Sequence, residues 1–203
     1  MQDAPVYVAA QDPQGLFPAW HALVFYLTCL AVMFLMLTFD LWPLTKFAGV
    51  MRQPRLGAVW TLIVLILGGV VFYIGVIVLA MDPVVFMVRV PVPFIFGTIV
   101  VLNMLKGSLF AKQKQPVKGV LNVVTVILVG QILSRVYAAL APTVTGPVNP
   151  GPPAYDFEIW LASALLSVTF PFLIFYAEFF QFWPLQRVSE RGEVLAAASP
   201  TRS

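Results

Sequence analysis

Five long blocks of apolar residues constrain this chain more than any other feature of its sequence. The blocks cover residues 20–40, 58–81, 88–110, 117–140 and 157–183. Each has about the length that an α-helix needs to cross the hydrocarbon core of a bilayer, roughly 20 residues. A segment in that core must satisfy its own backbone hydrogen bonds, and the sequence lacks the alternation typical of a membrane β-strand. The sequence therefore predicts an all-α integral membrane protein with five transmembrane helices.

The composition supports this fold class. Of the 203 residues, 60% are hydrophobic and 10% are charged, whereas a soluble domain carries roughly 25% charged residues. We expect a single membrane domain over residues 1–187 and a disordered cytoplasmic tail over residues 188–203, which are small and polar. The net charge of +3 does not indicate a nucleic-acid partner, because the basic residues gather at the ends of the apolar blocks.

The distribution of Lys and Arg predicts the orientation of the chain. Ten basic residues belong to the connections after the first and third blocks and to the C-terminal tail, whereas the N-terminal segment and the loop 140–157 contain none. Arg89 is the one basic residue near that second side, and Arg135 lies within the fourth block. The side rich in Lys and Arg faces the cytoplasm. The N-terminus is therefore expected outside and the C-terminus inside, in a multi-pass protein of the cell inner (cytoplasmic) membrane.

A repeated pattern links the second and fourth blocks. The segment Arg52-Gln53-Pro54-x-x-Gly57 precedes Gly68, and the segment Lys114-Gln115-Pro116-x-x-Gly119 precedes Gly130, at an offset of 62 residues. Proline suits the first turn of a helix, and the paired glycines allow a neighbouring helix to approach closely. The pattern favours a duplicated helical hairpin in parallel orientation, with a fifth helix added. Convergence is the alternative, because interfacial loops often reuse basic residues, proline and glycine.

Arg135 is the most informative polar residue. It lies toward the outer end of the fourth block, and Gln131 and Ser134 share its helical face. A charge inside a bilayer costs about 2.5–3.5 kcal/mol on insertion scales and usually has a partner. One interpretation is contact with an anion or substrate in a cavity; the favoured one is a structural ion pair or an extension to the outer head groups. The acidic residues at comparable depth are Asp82, Asp156 and Glu158.

A second set of polar residues lies near the cytoplasmic ends of the blocks. Asp40, Asn103, Lys106 and Glu178 are predicted to form an inner polar cluster. A carboxylate in apolar surroundings has a raised pKa and can carry protons. The favoured interpretation is an interfacial salt bridge that uses Lys106 and neighbouring basic residues.

The sequence offers few residues for catalysis. His21 is the single histidine and Cys29 the single cysteine, whereas haem, zinc and copper sites usually require two or more such ligands. Nucleotide-binding, metalloprotease and serine-hydrolase motifs are absent from the sequence. We therefore predict no catalytic residue, no metal site and no cofactor in this chain, and a protein that is not itself an enzyme.

Three functions remain open at this stage. The favoured one is a non-catalytic membrane subunit that anchors or stabilises a larger membrane complex. The alternative is a small-solute or ion transporter or channel built on the hairpin repeat, and the third is a lipid-acting membrane enzyme. The expected partners are membrane lipids and either other proteins or further copies of the chain, packed on an aromatic face of the fifth helix. That face comprises Phe170, Phe172, Phe175, Tyr176, Phe179, Phe180, Phe182 and Trp183.

Overall fold

The structure is a computed structural model that describes residues 19–104, 110 and 113–180. Within these residues the regular secondary structure is entirely helical, with no strand. The α-helices are Ala19–Thr38, Arg55–Phe72, Pro83–Arg89, Pro91–Ile99, Val117–Val144, Asp156–Ala164 and Phe170–Phe180. Three π-helical segments, Tyr73–Val78, Val100–Met104 and Leu165–Thr169, continue these helices, and a 3₁₀ turn covers Leu44–Lys46.

Five helical stretches are long and apolar enough to cross a membrane, which confirms the number of apolar blocks predicted from the sequence. We call them the first to fifth spans. They are Trp20–Thr38, Arg55–Val78, Pro83–Leu102, Val117–Val144 and Asp156–Tyr176.

The ends of the spans differ from the predicted ends for local reasons. The third span begins at Pro83 instead of residue 88, because the carboxylate of Asp82 accepts hydrogen bonds from the backbone N–H groups of Val84 and Val85 at 2.9 and 3.2 Å. An acidic N-cap of this kind stabilises the first turn of a helix. The fourth span continues to Val144 with Pro142 inside it, past the predicted end at residue 140. The predicted end of the fifth block at residue 183 and the tail 188–203 lie outside the described residues.

The third span is the centre of the bundle. In its most apolar window 67% of the residues are buried, compared with 33% in the first span, 28% in the fifth, 17% in the fourth and 11% in the second. The second span packs mainly along the first, whereas the third contacts the first, fourth and fifth. The apolar core accordingly forms around the start of the third span, where Val84, Phe86, Val88 and Val92 are buried.

The third span is broken at Val90, which separates Pro83–Arg89 from Pro91–Ile99. Arg89, Pro91 and Pro93 also predict a broken or interfacial first turn for a span that starts at residue 88. The break lies further along the helix, because Pro91 and Pro93 have no N–H group to donate to the carbonyl oxygens four residues earlier. Val90 adopts φ −117° and ψ −75°, which turns the chain between the two segments.

Glycines allow neighbouring spans to approach each other closely at several points. A Cβ atom at Gly130 would overlap the carbonyl oxygen of Pro93, and one at Gly97 would overlap the carbonyl oxygen of Val126. The third and fourth spans therefore contact each other backbone to backbone at this crossing. Gly68 plays the corresponding part between the second and first spans, since a Cβ there would lie 2.5 Å from the Sγ of Cys29.

Side-chain contacts connect the spans at both ends of the bundle. At one end, called the Asp40 end, Lys118 Nζ lies 2.7 Å from Asp40 Oδ2 and joins the fourth span to the end of the first. At the other, called the Asp82 end, the hydroxyl of Tyr155 donates to Asp82 Oδ2 at 2.8 Å and joins the start of the fifth span to the start of the third.

Candidate functional site

Gln131, Ser134 and Arg135 line one cavity of about 260 Å³. They lie on the same side of the fourth span because residues three and four apart share a helical face. One cavity thus contains the three polar residues that the sequence placed on one helical face. The remaining wall comes from the third and fifth spans and comprises Val88, Arg89, Pro93, Ala138, Phe157 and Leu161.

Arg135 forms no ion pair with a residue that the structure describes, whereas a structural ion pair was one of the two favoured interpretations. Within the described residues, no carboxylate lies within ion-pairing distance of its guanidinium, which is exposed. The three acidic residues proposed as partners are placed otherwise. Asp82 caps the third span and binds Tyr155, Glu158 Oε2 accepts the backbone N–H of Gly151 at 3.0 Å, and Asp156 is exposed.

Arg89 is a second arginine in the same cavity wall, which the sequence analysis treated only as a topology signal. It occupies the last residue of the segment that precedes the break in the third span. Like Arg135, it is exposed and has no ion-pair partner among the residues that the structure describes. Its position two residues before the first of two closely spaced prolines is the sequence signal that could have indicated this role.

A larger cavity of about 320 Å³ lies on the other side of the break. It shares Arg89, Pro93 and Gln131 with the first cavity. Its wall is otherwise apolar and comes from the first four spans. The further lining residues are Thr28, Ala31, Val32, Leu35, Val71, Val90, Pro91, Phe94 and Ile127.

Two buried polar atoms near these cavities have no hydrogen-bond partner in the described part of the chain. They are the hydroxyl of Ser134 and the Oε1 atom of Glu158, whose side chain is 1% exposed. A buried polar group without a partner costs about 1–3 kcal/mol. Ser134 lines the same cavity as Arg89 and Arg135, whereas Glu158 lies next to the lining residue Phe157 in the sequence.

Asp40 is the one member of the predicted inner cluster whose side chain the structure describes. Asp40 Oδ2 accepts hydrogen bonds from Lys118 Nζ at 2.7 Å and from Gln115 Nε2 at 2.9 Å. Partial burial raises the pKa of the Asp40 carboxyl, but the two hydrogen bonds outweigh this effect and the pKa is lowered. Lys106 lies outside the described residues, as do the side chains of Asn103 and Glu178. Asp40 therefore forms an ion pair with Lys118, and the predicted cluster with Lys106, Asn103 and Glu178 stays a prediction.

The described residues contain no group of three or more His, Cys, Asp and Glu side chains that could hold a metal ion. His21 packs its ring edge-on against Phe72, with centroids 6.1 Å apart, and its Nδ1 atom is buried without a partner in the described structure. Cys29 is buried between the first and second spans. The absence of catalytic and cofactor sites stays a prediction for the whole chain.

The residues that the structure describes form an all-helical fold with five helices that are long and apolar enough to cross a membrane. Comparison of the chain with known protein families, with curated protein sequences and with solved structures finds no match.

Proposed function

We propose that this chain is a non-catalytic subunit that anchors or stabilises a larger membrane complex. The exposure of the second span is the observation that carries the proposal. This span is held mainly by the first span, and 11% of its most apolar window is buried. Helices in a bilayer associate through close packing, so a helix with one main neighbour gains most from a further partner helix. Leu62 and Tyr73, 59% and 58% exposed, lie on the free surface.

The aromatic face of the fifth span is the second proposed contact surface. Phe172 is 58% exposed and Phe179 is 74% exposed. The rings pair along the helix: Phe172 stacks on Tyr176 at 6.3 Å, and Phe175 lies 4.5 Å from Phe179. Rings held by their neighbours lose little freedom on binding, which is why aromatic side chains are frequent at the centres of interfaces.

The proposed orientation places the Asp40 end in the cytoplasm. Lys46, Arg52 and Arg55 in the first connection lie at that end, together with Lys114 and Lys118 before and within the fourth span. Arg89 lies toward the opposite end, which has no other basic residue besides Arg135 in the described structure. The positive-inside rule then supports an external N-terminus, a cytoplasmic C-terminus and location in the cell inner membrane.

A duplicated hairpin is proposed as the origin of the first four spans. Gly68 and Gly130, the equivalent glycines of the repeat, each pack against the preceding span of their own hairpin. The glutamines of the repeat differ in detail: Gln115 Oε1 accepts the N–H of Gly119 at 3.0 Å, whereas Gln53 Oε1 lies near Gly57, 3.8 Å from the position of a Cβ there. The corresponding packing of Gly68 and Gly130 is the observation that supports duplication over convergence.

Site-specific photo-crosslinking in the native membrane tests the subunit proposal. A photoreactive residue in place of Leu62 or Phe172 is expected to capture one protein of fixed mass. The matched control is Ile132, which is 60% exposed on the fourth span and lies on neither proposed surface; it should capture lipid alone. Lipid adducts alone at all three positions, together with a particle of one chain in mild detergent, would contradict the proposal.

Transport of small anions is a second candidate, supported by the two arginines in one cavity wall. Arginines without an acidic partner inside a membrane commonly mark an ion or substrate path. Purified chain in liposomes should then conduct an anion flux that Arg135→Ala abolishes and Arg52→Ala, at the Asp40 end, leaves unchanged. Absence of flux from the unaltered chain, or equal flux in both variants, excludes this candidate.

A further inference from the structure

The two cavities at the break of the third span form one composite site with a polar part and an apolar part. They meet at Arg89, Pro93 and Gln131, which line both. The polar part adds Arg135 and Ser134, and the apolar part extends along the first, second and fourth spans. Its volume of about 320 Å³ falls within the range of small-molecule pockets, about 300–1,000 Å³.

The break itself creates the space between the two parts. Pro91 and Pro93 deprive Met87 and Arg89 of the helical hydrogen bond that their carbonyl oxygens would otherwise accept. The chain turns at Val90, and the fourth span passes close by because Gly130 lets its backbone touch Pro93. The arginine at the break and the arginine on the fourth span thereby line the same cavity.

The polar part has the charge of an anion site. Arg89 and Arg135 contribute two positive charges, and Gln131 contributes an amide that can donate hydrogen bonds. Asp82 binds Tyr155 and the start of the third span, Glu158 Oε2 accepts the backbone N–H of Gly151, and Asp156 is exposed. None of these acids forms an ion pair with either arginine in the described structure. Ser134, 9% exposed, stands in the same wall with an unpartnered hydroxyl. An anionic group would supply the partner that these donors lack.

The apolar part has the lining expected of a site for a hydrocarbon chain. Its wall consists mostly of aliphatic side chains and Phe94, and the hydroxyl of Thr28 is already bonded to the carbonyl oxygen of Val24 at 2.7 Å. Val71, Val90 and Ile127 on its edge are 39%, 44% and 47% exposed. The groove therefore opens sideways between the second and fourth spans, toward the surroundings of the bundle and away from its ends.

We propose that this composite site binds an anionic phospholipid. The phosphate lies between Arg89 and Arg135 and accepts a hydrogen bond from Gln131, and one acyl chain occupies the groove from Thr28 to Ile127. The combination of two unpaired cations with an adjoining apolar groove selects this occupant over a neutral lipid, which lacks the charge, and over a free anion, which leaves the groove unfilled. The inference does not depend on the proposed subunit function.

Lipid retention by the purified full-length chain tests the proposal. The chain is reconstituted in nanodiscs that contain phosphatidylglycerol and phosphatidylcholine in equal amounts, released into mild detergent, and its bound lipids are counted by native mass spectrometry. We expect one phosphatidylglycerol to be retained. Arg89→Gln and Arg135→Gln should each weaken its retention about tenfold, the effect of losing one charge-assisted hydrogen bond. Arg52→Gln, which removes an exposed arginine at the Asp40 end, should change nothing.

Two further experiments test the apolar part and the polar part of the site separately. Ile127→Trp fills the groove without altering charge and should also reduce retention, with the thermal unfolding midpoint confirming that the variant folds. Inorganic phosphate at millimolar concentration should fail to displace the bound lipid. Equal retention of both lipids, equal losses in Arg52→Gln and Arg135→Gln, or displacement by phosphate alone would overturn the proposal.

Discussion

Asp82 shows how a single carboxylate organises one end of this molecule. Its Oδ1 atom caps the third span through the N–H groups of Val84 and Val85, and its Oδ2 atom accepts the hydroxyl of Tyr155 at 2.8 Å. The side chain of Asp82 therefore connects the start of the third span to Tyr155, the residue just before the fifth span. Asp82 forms no ion pair with Arg135 in the described structure, which leaves the guanidinium available to a ligand.

The hydrogen bond between Tyr155 and Asp82 predicts a pH dependence. Burial, the hydrogen bond to Asp82 and the charges of Asp82 and Glu158 raise the pKa of Tyr155 to about 12. Because the folded-state pKa is raised, this contribution to stability is fully present below the ordinary value of 10.0 and is lost as the pH rises toward 12. Tyr155→Phe should lower the free energy of unfolding by about 1 kcal/mol at neutral pH.

Thermal unfolding in detergent across the alkaline range measures this difference between the unaltered chain and Tyr155→Phe. The difference in stability between the two proteins should disappear as the pH rises from 10 to 12. A difference in stability that does not change with pH, or the absence of a difference at neutral pH, would contradict stabilisation of the fold by the bond to Asp82. Tyr73→Phe, on the exposed side of the second span, is the control and should leave stability unchanged.

The ion pair between Asp40 and Lys118 should also make the stability depend on pH. This effect is smaller, and it appears as the pH falls. The pKa of Asp40 is lowered from 3.8, so its contribution is present above that value and is lost as the pH falls through the lower folded-state pKa. Asp40 is 59% exposed and Lys118 is 23% exposed, so solvent screens the pair and its contribution is about 0.5 kcal/mol.

A double-mutant cycle with Asp40→Asn and Lys118→Gln measures that coupling directly. The coupling should decrease with added salt and disappear in strongly acidic buffer. Strict additivity of the two substitutions at neutral pH and low salt would show that the contact contributes nothing.

At the residue scale, the sequence could predict groupings that depend on local periodicity. Gln131, Ser134 and Arg135 lie together because their spacing matches the helical repeat, which places them on one face of the fourth span. The partner of Arg135 could not be predicted, since it depends on how the fourth and fifth spans rotate against the third. The role of Arg89 was missed for a related reason: its contribution to the cavity follows from the break at Val90, whose exact place depends on tertiary packing.

At the scale of the elements, hydropathy determined which segments form spans, and local hydrogen bonding determined where they begin. The third span starts five residues before the predicted position because Asp82 caps it. The second starts at Arg55, immediately after Pro54, where a residue without an N–H group is tolerated. Apolar content does not report these contacts, so a sequence-based boundary stops at the last clearly apolar residue.

The crossing of the third and fourth spans predicts a strong effect of a single methyl group. Gly130→Ala places its Cβ against the carbonyl oxygen of Pro93, a backbone atom that cannot move aside cheaply. We expect a loss of about 1–3 kcal/mol in the free energy of unfolding, the usual cost of overpacking. Because the same crossing forms part of the wall of the composite site, the variant should also retain less phosphatidylglycerol.

Gly57→Ala is the matched control for this substitution. Gly57 is also helical, but a Cβ there meets only the flexible end of Gln53, at 3.8 Å. Alanine favours a helix over glycine by about 1 kcal/mol, so this variant should be unchanged or slightly more stable. Equal destabilisation of the two variants in thermal unfolding would contradict the backbone contact at Gly130.

At the scale of the whole molecule, the two ends of the bundle differ in charge and in the contacts that tie them. The Asp40 end carries the basic connections and one exposed ion pair, whereas the Asp82 end is held by hydrogen bonds between carboxylates, tyrosine and backbone. The sequence predicted which connections share an end, since spans alternate in direction. It could not predict that the third span is central, because all five blocks are similarly apolar.

The proposed orientation predicts opposite accessibility of the two ends in intact cells. With Cys29→Ala as background, the chain has no other cysteine, so new thiols at Ala48 and Ala154, both exposed, report one end each. The basic first connection is retained on the cytoplasmic side by the positive-inside rule. A membrane-impermeant maleimide should therefore label Ala154→Cys in intact cells and Ala48→Cys only after the membrane is permeabilised. The reverse pattern would place Arg89 and Arg135 in the cytoplasmic leaflet, and labelling of both thiols in intact cells would argue against a bilayer between the two ends.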